Sequence, residues 1–145
     1  MIETLEEHFV NALELPEAAV DWLLDLWRVI QVFDDIHDGD PVADVMPALW
    51  AGLVTMPGNP FYQANAAALQ AAVATAILKW HAANEAEDAG KADERSYVWR
   101  AAYYDVVLLV TLLCHGQFDA LRLAPTIMLM YGEPFADYRE EFPDA

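Results

Sequence analysis

One long stretch of the sequence predicts the fold; between residues 59 and 90 it reads NPFYQANAAALQAAVATAILKWHAANEAEDAG. Alanine, the strongest helix former, fills much of this stretch. An asparagine precedes it and a glycine follows it, and these residues commonly lie at the start and the end of a helix. The stretch therefore predicts a helix over residues 60–88, capped by Asn59 and closed at Gly90.

The rest of the chain also has helical spacing and lacks the alternation typical of strands. Apolar residues recur every three or four positions on both sides of the long helix. We therefore expect a single all-α domain over residues 1–145, a helical bundle of about five main helices plus short C-terminal helices. Residues 133–145 are expected to form an acidic, solvated tail of this domain. Beyond 60–88, the predicted helices cover residues 2–15, 16–37, 44–55 and 93–115, with short pieces at 118–123 and 126–131.

The acidic composition limits the classes of partner. The chain has 24 acidic and 7 basic residues and a formal net charge of −17, yet 57% of its residues are hydrophobic, which argues against disorder. Direct binding to nucleic acid requires clustered Lys and Arg and is not expected. Docking on an anionic membrane is excluded for the same reason.

No targeting or disulfide signal is found. The first residues are acidic, unlike a signal peptide, and the most apolar run, residues 106–114, is too short to cross a bilayer. Cys114 is the only cysteine, so it forms no intramolecular disulfide and is interpreted as a small buried hydrophobe. We expect a soluble, cytoplasmic protein.

Acidic residues continue the apolar faces of two helices. On the second helix the apolar face leads into Asp34 and Asp38, and on the 60–88 helix it leads into Glu87 and Asp88. A carboxylate at a helix C-terminus opposes the helix dipole, so a divalent cation, a basic side chain or water must compensate. One interpretation is a Mg²⁺ or Mn²⁺ site formed by these four acids. The other is that both helices extend beyond the core into solvent.

The fifth predicted helix carries a polar side, formed by Tyr97, Arg100, Tyr104, Thr111 and His115. Arg100, with Tyr104 and His115 as hydrogen-bonding neighbours, is a candidate contact for a phosphate or for a carboxylate of a partner. Alternatively, these residues form the solvent side of the helix.

Two acidic motifs resemble those of known families. The motif FDDIHDGD, residues 33–40, resembles the first aspartate-rich motif of trans-isoprenyl diphosphate synthases, and NEAED, residues 84–88, is similar to the second acidic motif of squalene and phytoene synthases. This resemblance implies a prenyl diphosphate held through Mg²⁺ by Asp34, Asp35 and Asp38. It covers about a dozen residues, and the chain is too short for that fold to enclose an isoprenoid.

The motif EAED, residues 85–88, also resembles the ExxD element of all-α nucleotide pyrophosphohydrolases, which are closer in length. The first metal-binding element is then either Asp34, Asp35 and Asp38 or residues 14–17. This resemblance implies a Mg- or Mn-dependent hydrolase of a nucleotide or another diphosphate, with Arg100 or Lys79 neutralising the phosphate.

We therefore carry two functional hypotheses. The first is a small acidic binding or regulatory protein without a cofactor, which docks on a basic protein surface as an inhibitor or accessory protein of a nucleic-acid-handling machine. Self-association through the apolar fifth helix is compatible with it. The second is the Mg- or Mn-dependent pyrophosphohydrolase, which requires Asp34, Asp38, Glu87 and Asp88 to meet. The first hypothesis also predicts that four aromatic residues anchor the interface: Trp22, Trp50, Trp99 and Tyr131.

Overall fold

The computed structural model describes the backbone of residues 2–143 and the side chains of residues 4–143. All regular secondary structure in this part of the chain is helical, which confirms the all-α fold. None of these helices combines the length and the apolar character that crossing a membrane would require. The α-helices are α1 (Ile2–Glu7), α2 (Glu17–Asp38), α3 (Met46–Trp50), α4 (Met56–Gly58), α5 (Pro60–Asp88), α6 (Glu94–Trp99), α7 (Tyr103–His115), α8 (Gln117–Met128) and α9 (Phe135–Glu141), and the π-helices are His8–Ala12 and Ala51–Thr55.

Two compact units divide the chain, Met1–Ala66 and Ala67–Ala145. The boundary lies within α5, beside Asn65, whose backbone leaves helical geometry at φ −132° and ψ 22°. The Asn65 side chain donates a hydrogen bond to the carbonyl oxygen of Phe61 at 3.0 Å, so a side chain competes with the backbone for that acceptor and favours the kink. The assignment of the whole chain to one domain stays a prediction.

The first unit is organised around α2, which contacts α1, α3, α4 and both π-helices. Its core contains Phe9 and Leu23, both fully buried, and Trp22, which stacks on Tyr62 at a ring-centroid distance of 6.0 Å. The helix predicted over residues 2–15 is shorter in the structure. It changes from α to π at His8 and gives way to a turn at Glu14, where φ is 48°.

The predicted ends of α5 are confirmed. Asn59 Oδ1 accepts hydrogen bonds from the backbone N–H groups of Phe61 and Tyr62, at 2.8 and 3.1 Å, and Asn59 Nδ2 donates to the carbonyl oxygen of Ala18 at 2.9 Å. Gly90, at φ 69°, follows the other end, in the left-handed conformation that closes many helices. Asn59 therefore both starts α5 and fastens it to α2.

The helix predicted over residues 93–115 begins as expected but is interrupted. Asp93 caps α6, and a capping box joins it to Ser96. The N–H groups of Ala101, Ala102 and Tyr104 then bond to carbonyl oxygens three residues earlier. These bonds tighten the helix, so residues before and after the turn do not share the face that regular α-helical spacing predicts.

The C-terminal region is more ordered than expected. The predicted pieces 118–123 and 126–131 are joined in α8, which continues through Pro125; Leu123 and Ile127, on either side of this proline, are both buried. The expectation of a solvated tail is wrong for Tyr138, which is fully buried on α9. The acids of α9, Asp137, Glu140 and Glu141, are exposed as expected.

Asn59→Ala is expected to lower the free energy of unfolding by about 2 kcal/mol, because it removes a helix cap and leaves the Ala18 carbonyl without its partner. Chemical denaturation monitored by circular dichroism measures the change. Asp44→Ala is the matched control, since Asp44 Oδ1 accepts from the Met46 N–H at an exposed helix start, and its loss is expected to stay below about 1 kcal/mol. Equal losses in the two variants would contradict the role given to Asn59.

Candidate functional site

The four acids predicted as metal ligands are divided between the two units, with two acids in each. Asp34 and Asp38 lie in the last turns of α2 in the first unit, where Asp34 is half-buried and Asp38 is exposed. Glu87 and Asp88 end α5 in the second unit, and Asp88 is exposed. Among the described side chains, no group of three or more His, Cys, Asp or Glu residues is arranged to hold a metal ion. The Mg²⁺ or Mn²⁺ interpretation stays a prediction.

Glu87 is compensated by a basic side chain. Its side chain is only 6% exposed, and Arg100 Nη1 lies 2.5 Å from its Oε2. The Tyr138 hydroxyl donates to the same oxygen at 2.8 Å. A divalent cation, a basic side chain or water could balance a carboxylate at this helix end. The structure provides a basic side chain for Glu87, so the charge of Glu87 requires no cation to balance it.

Further contacts extend this pair into what we call the Glu87 network, formed by Glu87, Ser96, Arg100, Glu133 and Tyr138. The Tyr138 hydroxyl lies 2.6 Å from Ser96 Oγ, and Arg100 Nε lies 3.9 Å from Glu133 Oε2. The Arg100 guanidinium also lies 5.9 Å from the centroid of the Tyr138 ring. The network therefore connects the end of α5 to α6, to the turn after α6 and to α9.

The polar side of the predicted fifth helix is largely internal. The Tyr104 hydroxyl donates to the carbonyl oxygen of Met130 at 3.3 Å, and Thr111 is fully buried. His115 ends α7 and is half-buried, and the Arg100 side chain is 18% exposed. The interpretation of this side as the solvent side is therefore wrong. A phosphate or partner contact by Arg100, Tyr104 and His115 stays a prediction.

Burial makes five tyrosines of the second unit harder to ionise. Burial raises the pKa of Tyr138 to about 12 and raises the pKa values of the other four. The Tyr97 ring lies at the centre of several ring contacts, with centroid distances of 5.5 Å to Tyr131, 5.0 Å to Phe135 and 5.3 Å to Tyr138. These rings pack the residues around α9 against α6. The five are Tyr97, Tyr103, Tyr104, Tyr131 and Tyr138.

An open groove of about 800 Å³ lies in the first unit between α2 and the segment formed by α3 and the π-helix Ala51–Thr55. Apolar side chains line it from both sides, among them Trp27 and Val32 on α2 and Met46 and Trp50 on α3. The charged groups at the groove are Asp25, Arg28 and Asp44. We call this feature the α2–α3 groove.

The sequence reasoning did not identify this groove, although a signal was present. Residues 45–54 are largely apolar, and six of them are large hydrophobic side chains that stay exposed. Of the aromatic anchors that the sequence suggested, Trp50 is 63% and Trp99 is 46% exposed, whereas Trp22 is buried in the core. The expectation for Trp22 is therefore wrong. The six exposed side chains are Val45, Met46, Leu49, Trp50, Leu53 and Val54.

The acid excess is concentrated in the same unit. Residues 1–66 contain twelve acidic residues and a single basic residue, Arg28. Arg28 Nη1 lies 3.1 Å from Asp25 Oδ1, one helical turn away. Residues 67–145 contain an equal number of acids but six basic residues. The unit that contains the α2–α3 groove therefore has a larger net negative charge than the second unit.

No protein-family model, curated protein or solved structure matches this chain.

Arg100→Met is expected to lower the free energy of unfolding by about 3 kcal/mol, because it leaves a largely buried carboxylate without its counter-charge. Adding Glu87→Gln to this variant is expected to recover part of the loss, since the neutral amide needs no counter-charge. Urea denaturation measures both. The pair of Arg95 and Asp93, in which the Arg95 side chain is 89% exposed, provides the control: Arg95→Met is expected to cost less than about 1 kcal/mol. A double variant no more stable than Arg100→Met would contradict the assigned pairing.

The protein is expected to lose stability in alkaline solution. The Tyr138 pKa is about 12 in the folded chain, against an ordinary value of 10.0, so the folded state holds this proton more tightly than the unfolded state. The contribution of this proton to the free energy of unfolding is therefore fully present below pH 10 and is lost as the pH rises through 12. Denaturation at several pH values measures the free energy of unfolding, which is expected to fall less steeply over this range in Tyr138→Phe than in the wild-type chain. An unchanged slope in that variant would contradict the assignment.

Proposed function

We propose that this chain is a binding protein that docks on a basic surface of another protein, and that the α2–α3 groove is its contact site. The observation that carries the proposal is the combination, in one unit, of an open apolar groove with a large excess of acidic residues. A contact site here also explains why so many large apolar side chains stay exposed between residues 45 and 54, because contiguous exposed apolar surface commonly marks an interaction site.

The apolar part of the groove supports an anchored contact. Trp50 is more than half exposed, and it lines the groove together with Trp27 and Met46. Tryptophan is enriched among the residues that dominate binding energies, because its large ring loses much water-exposed surface when a partner covers it. Methionine adapts to differently shaped apolar partners. A partner is therefore expected to insert at least one large apolar side chain here.

The charges select the chemistry of the partner. Asp25 and Asp44 line the groove, and the only basic residue of the unit, Arg28, is already paired with Asp25. An acidic partner would be repelled by the net negative charge of the unit, whereas Lys and Arg flanking an apolar side chain would approach the Asp44 carboxylate. The best-fitting ligand is thus a cationic amphipathic segment of a protein. Inhibition or assistance of a nucleic-acid-handling machine is one role consistent with such a ligand.

The contacts of Glu87 favour this proposal over the metal-dependent pyrophosphohydrolase. In that alternative the Glu87 carboxylate binds a cation, and Arg100 or Lys79 neutralises the phosphate. Glu87 and Arg100 instead neutralise each other, and a hydrolase would have to break this pair before Glu87 could bind a cation.

A synthetic 18-residue amphipathic helix of Leu and Lys is a suitable probe, because Trp27 and Trp50 report its binding through tryptophan fluorescence. Trp50→Ala is expected to weaken binding by about tenfold or more, the range of an aromatic anchor. Trp99→Ala, which removes an exposed tryptophan of the second unit, is the matched control and should leave the affinity unchanged. Equal effects of the two substitutions would contradict the placement of the site.

Charge variants test the electrostatic half of the proposal. Asp25→Asn with Asp44→Asn is expected to weaken binding of the Leu–Lys peptide, and raising the salt concentration should reduce the remaining affinity. Asparagine keeps the oxygen with which Asp44 accepts a hydrogen bond from the Met46 N–H. Asp137→Asn with Glu140→Gln makes the same charge change on α9 and should have little effect. Equally tight binding of a peptide with Glu in place of Lys would overturn the proposal.

A further inference from the structure

A second apolar surface lies on α8, in the other unit. Leu123 and Ile127 face the core of this unit and are buried, whereas Phe118 and Leu121 are 81% and 67% exposed. Met128 continues the exposed side with helical spacing, and Leu129 follows directly after the helix; both are also exposed. Because α8 is apolar on two opposite sides, burial within its own unit accounts for only one of them.

Helix α7, which packs against α8, adds further exposed apolar side chains. Leu108, Leu112 and Leu113 each keep more than a third of their surface exposed. The sequence predicts self-association through the fifth helix because it is so apolar, but Val106, Val107 and Val110 are fully buried. The larger exposed surface lies on the following helix, which the sequence pattern had broken into short pieces.

We propose that the exposed side of α8, together with the exposed leucines of α7, is an interface between two copies of this chain. This proposal rests on residues of the second unit and does not depend on the proposed function. An interface formed by one surface with itself must be self-complementary around a twofold axis. The charges on α8 meet this requirement.

The charge on α8 is balanced, unlike that of the chain as a whole. The helix carries one acid, Asp119, and one base, Arg122, and both side chains are about half exposed. Two copies of a chain with a net charge of −17 repel each other across most surfaces. If two α8 helices cross in antiparallel orientation, Asp119 of each copy instead approaches Arg122 of the other. The same symmetry brings the two apolar sides together.

The exposed apolar surface supplies much of the area that such a contact requires. Each exposed side chain on α8 and α7 presents on the order of 100 Å², so the set supplies several hundred Å² per copy, approaching the roughly 800 Å² that each partner buries in a stable interface. A second copy therefore accounts for both the extent of this surface and its lack of net charge.

Sedimentation equilibrium across a range of protein concentrations tests the proposal. The wild-type chain, of 16.2 kDa, is expected to reach twice this mass. Leu121→Glu is expected to raise the dissociation constant by about 100-fold or more, because it places an unpaired carboxylate in the interface. Leu53→Glu, at a position 70% exposed in the first unit, makes the same chemical change elsewhere and should leave the dimer intact. Circular dichroism verifies that both variants are folded.

A charge-exchange experiment tests the antiparallel contact. Asp119→Arg gives a chain with two bases on α8, and Arg122→Asp gives a chain with two acids there, so each variant alone is expected to dissociate. Mixed in equal amounts, they are expected to form a heterodimer, because complementary charges then meet only between copies. A wild-type chain that stays monomeric at all concentrations would overturn the proposal. So would dissociation caused by Leu53→Glu but not by Leu121→Glu, or a mixture that forms no heterodimer.

Discussion

Glu87 carries a negative charge at the C-terminal end of α5, where the helix dipole opposes it and most of its side chain is removed from water. Arg100 and the Tyr138 hydroxyl both contact the same carboxylate oxygen. Since these two residues come from the turn after α6 and from α9, one carboxylate fixes three parts of the second unit. A buried ion pair adds little net stability. The contribution of this ion pair is to select one arrangement of these segments. The tyrosine rings around Tyr97 then pack between the segments.

Features that depend on neighbouring residues could be predicted from the sequence. Asn59, Gly90 and Asp93 act within a few positions of themselves, as caps and as a turn, and all three lie where the sequence places them. The interruption after Trp99 and the continuity of α8 through Pro125 could not be predicted in this way. Both are decided by packing, since Tyr104, Leu123 and Ile127 are buried against residues that the local pattern does not identify.

The candidate sites show the same division. Glu87 was recognisable as an acid on an apolar helical face, and Arg100 as an unusual base, but their pairing spans a loop across which helical spacing carries no information. The α2–α3 groove needs two segments to form, so no single motif marks it. The signal in the sequence was an absence of polar residues. Residues 45–54 have no polar side, and a short segment of this kind cannot bury all of its apolar side chains against one neighbouring helix.

The two π-helices of the first unit carry a different kind of information, about chain length. In each, a backbone N–H bonds to the carbonyl five residues earlier: Leu13 to His8, and Met56 to Ala51. Such a turn holds one residue more than an α-helical turn. The extra residue after Trp50 changes the angular offset between this side chain and those that follow it by roughly a quarter turn. A deletion of a single residue there would leave the charge of the segment unchanged, yet would turn the side chains on either side of it to new directions.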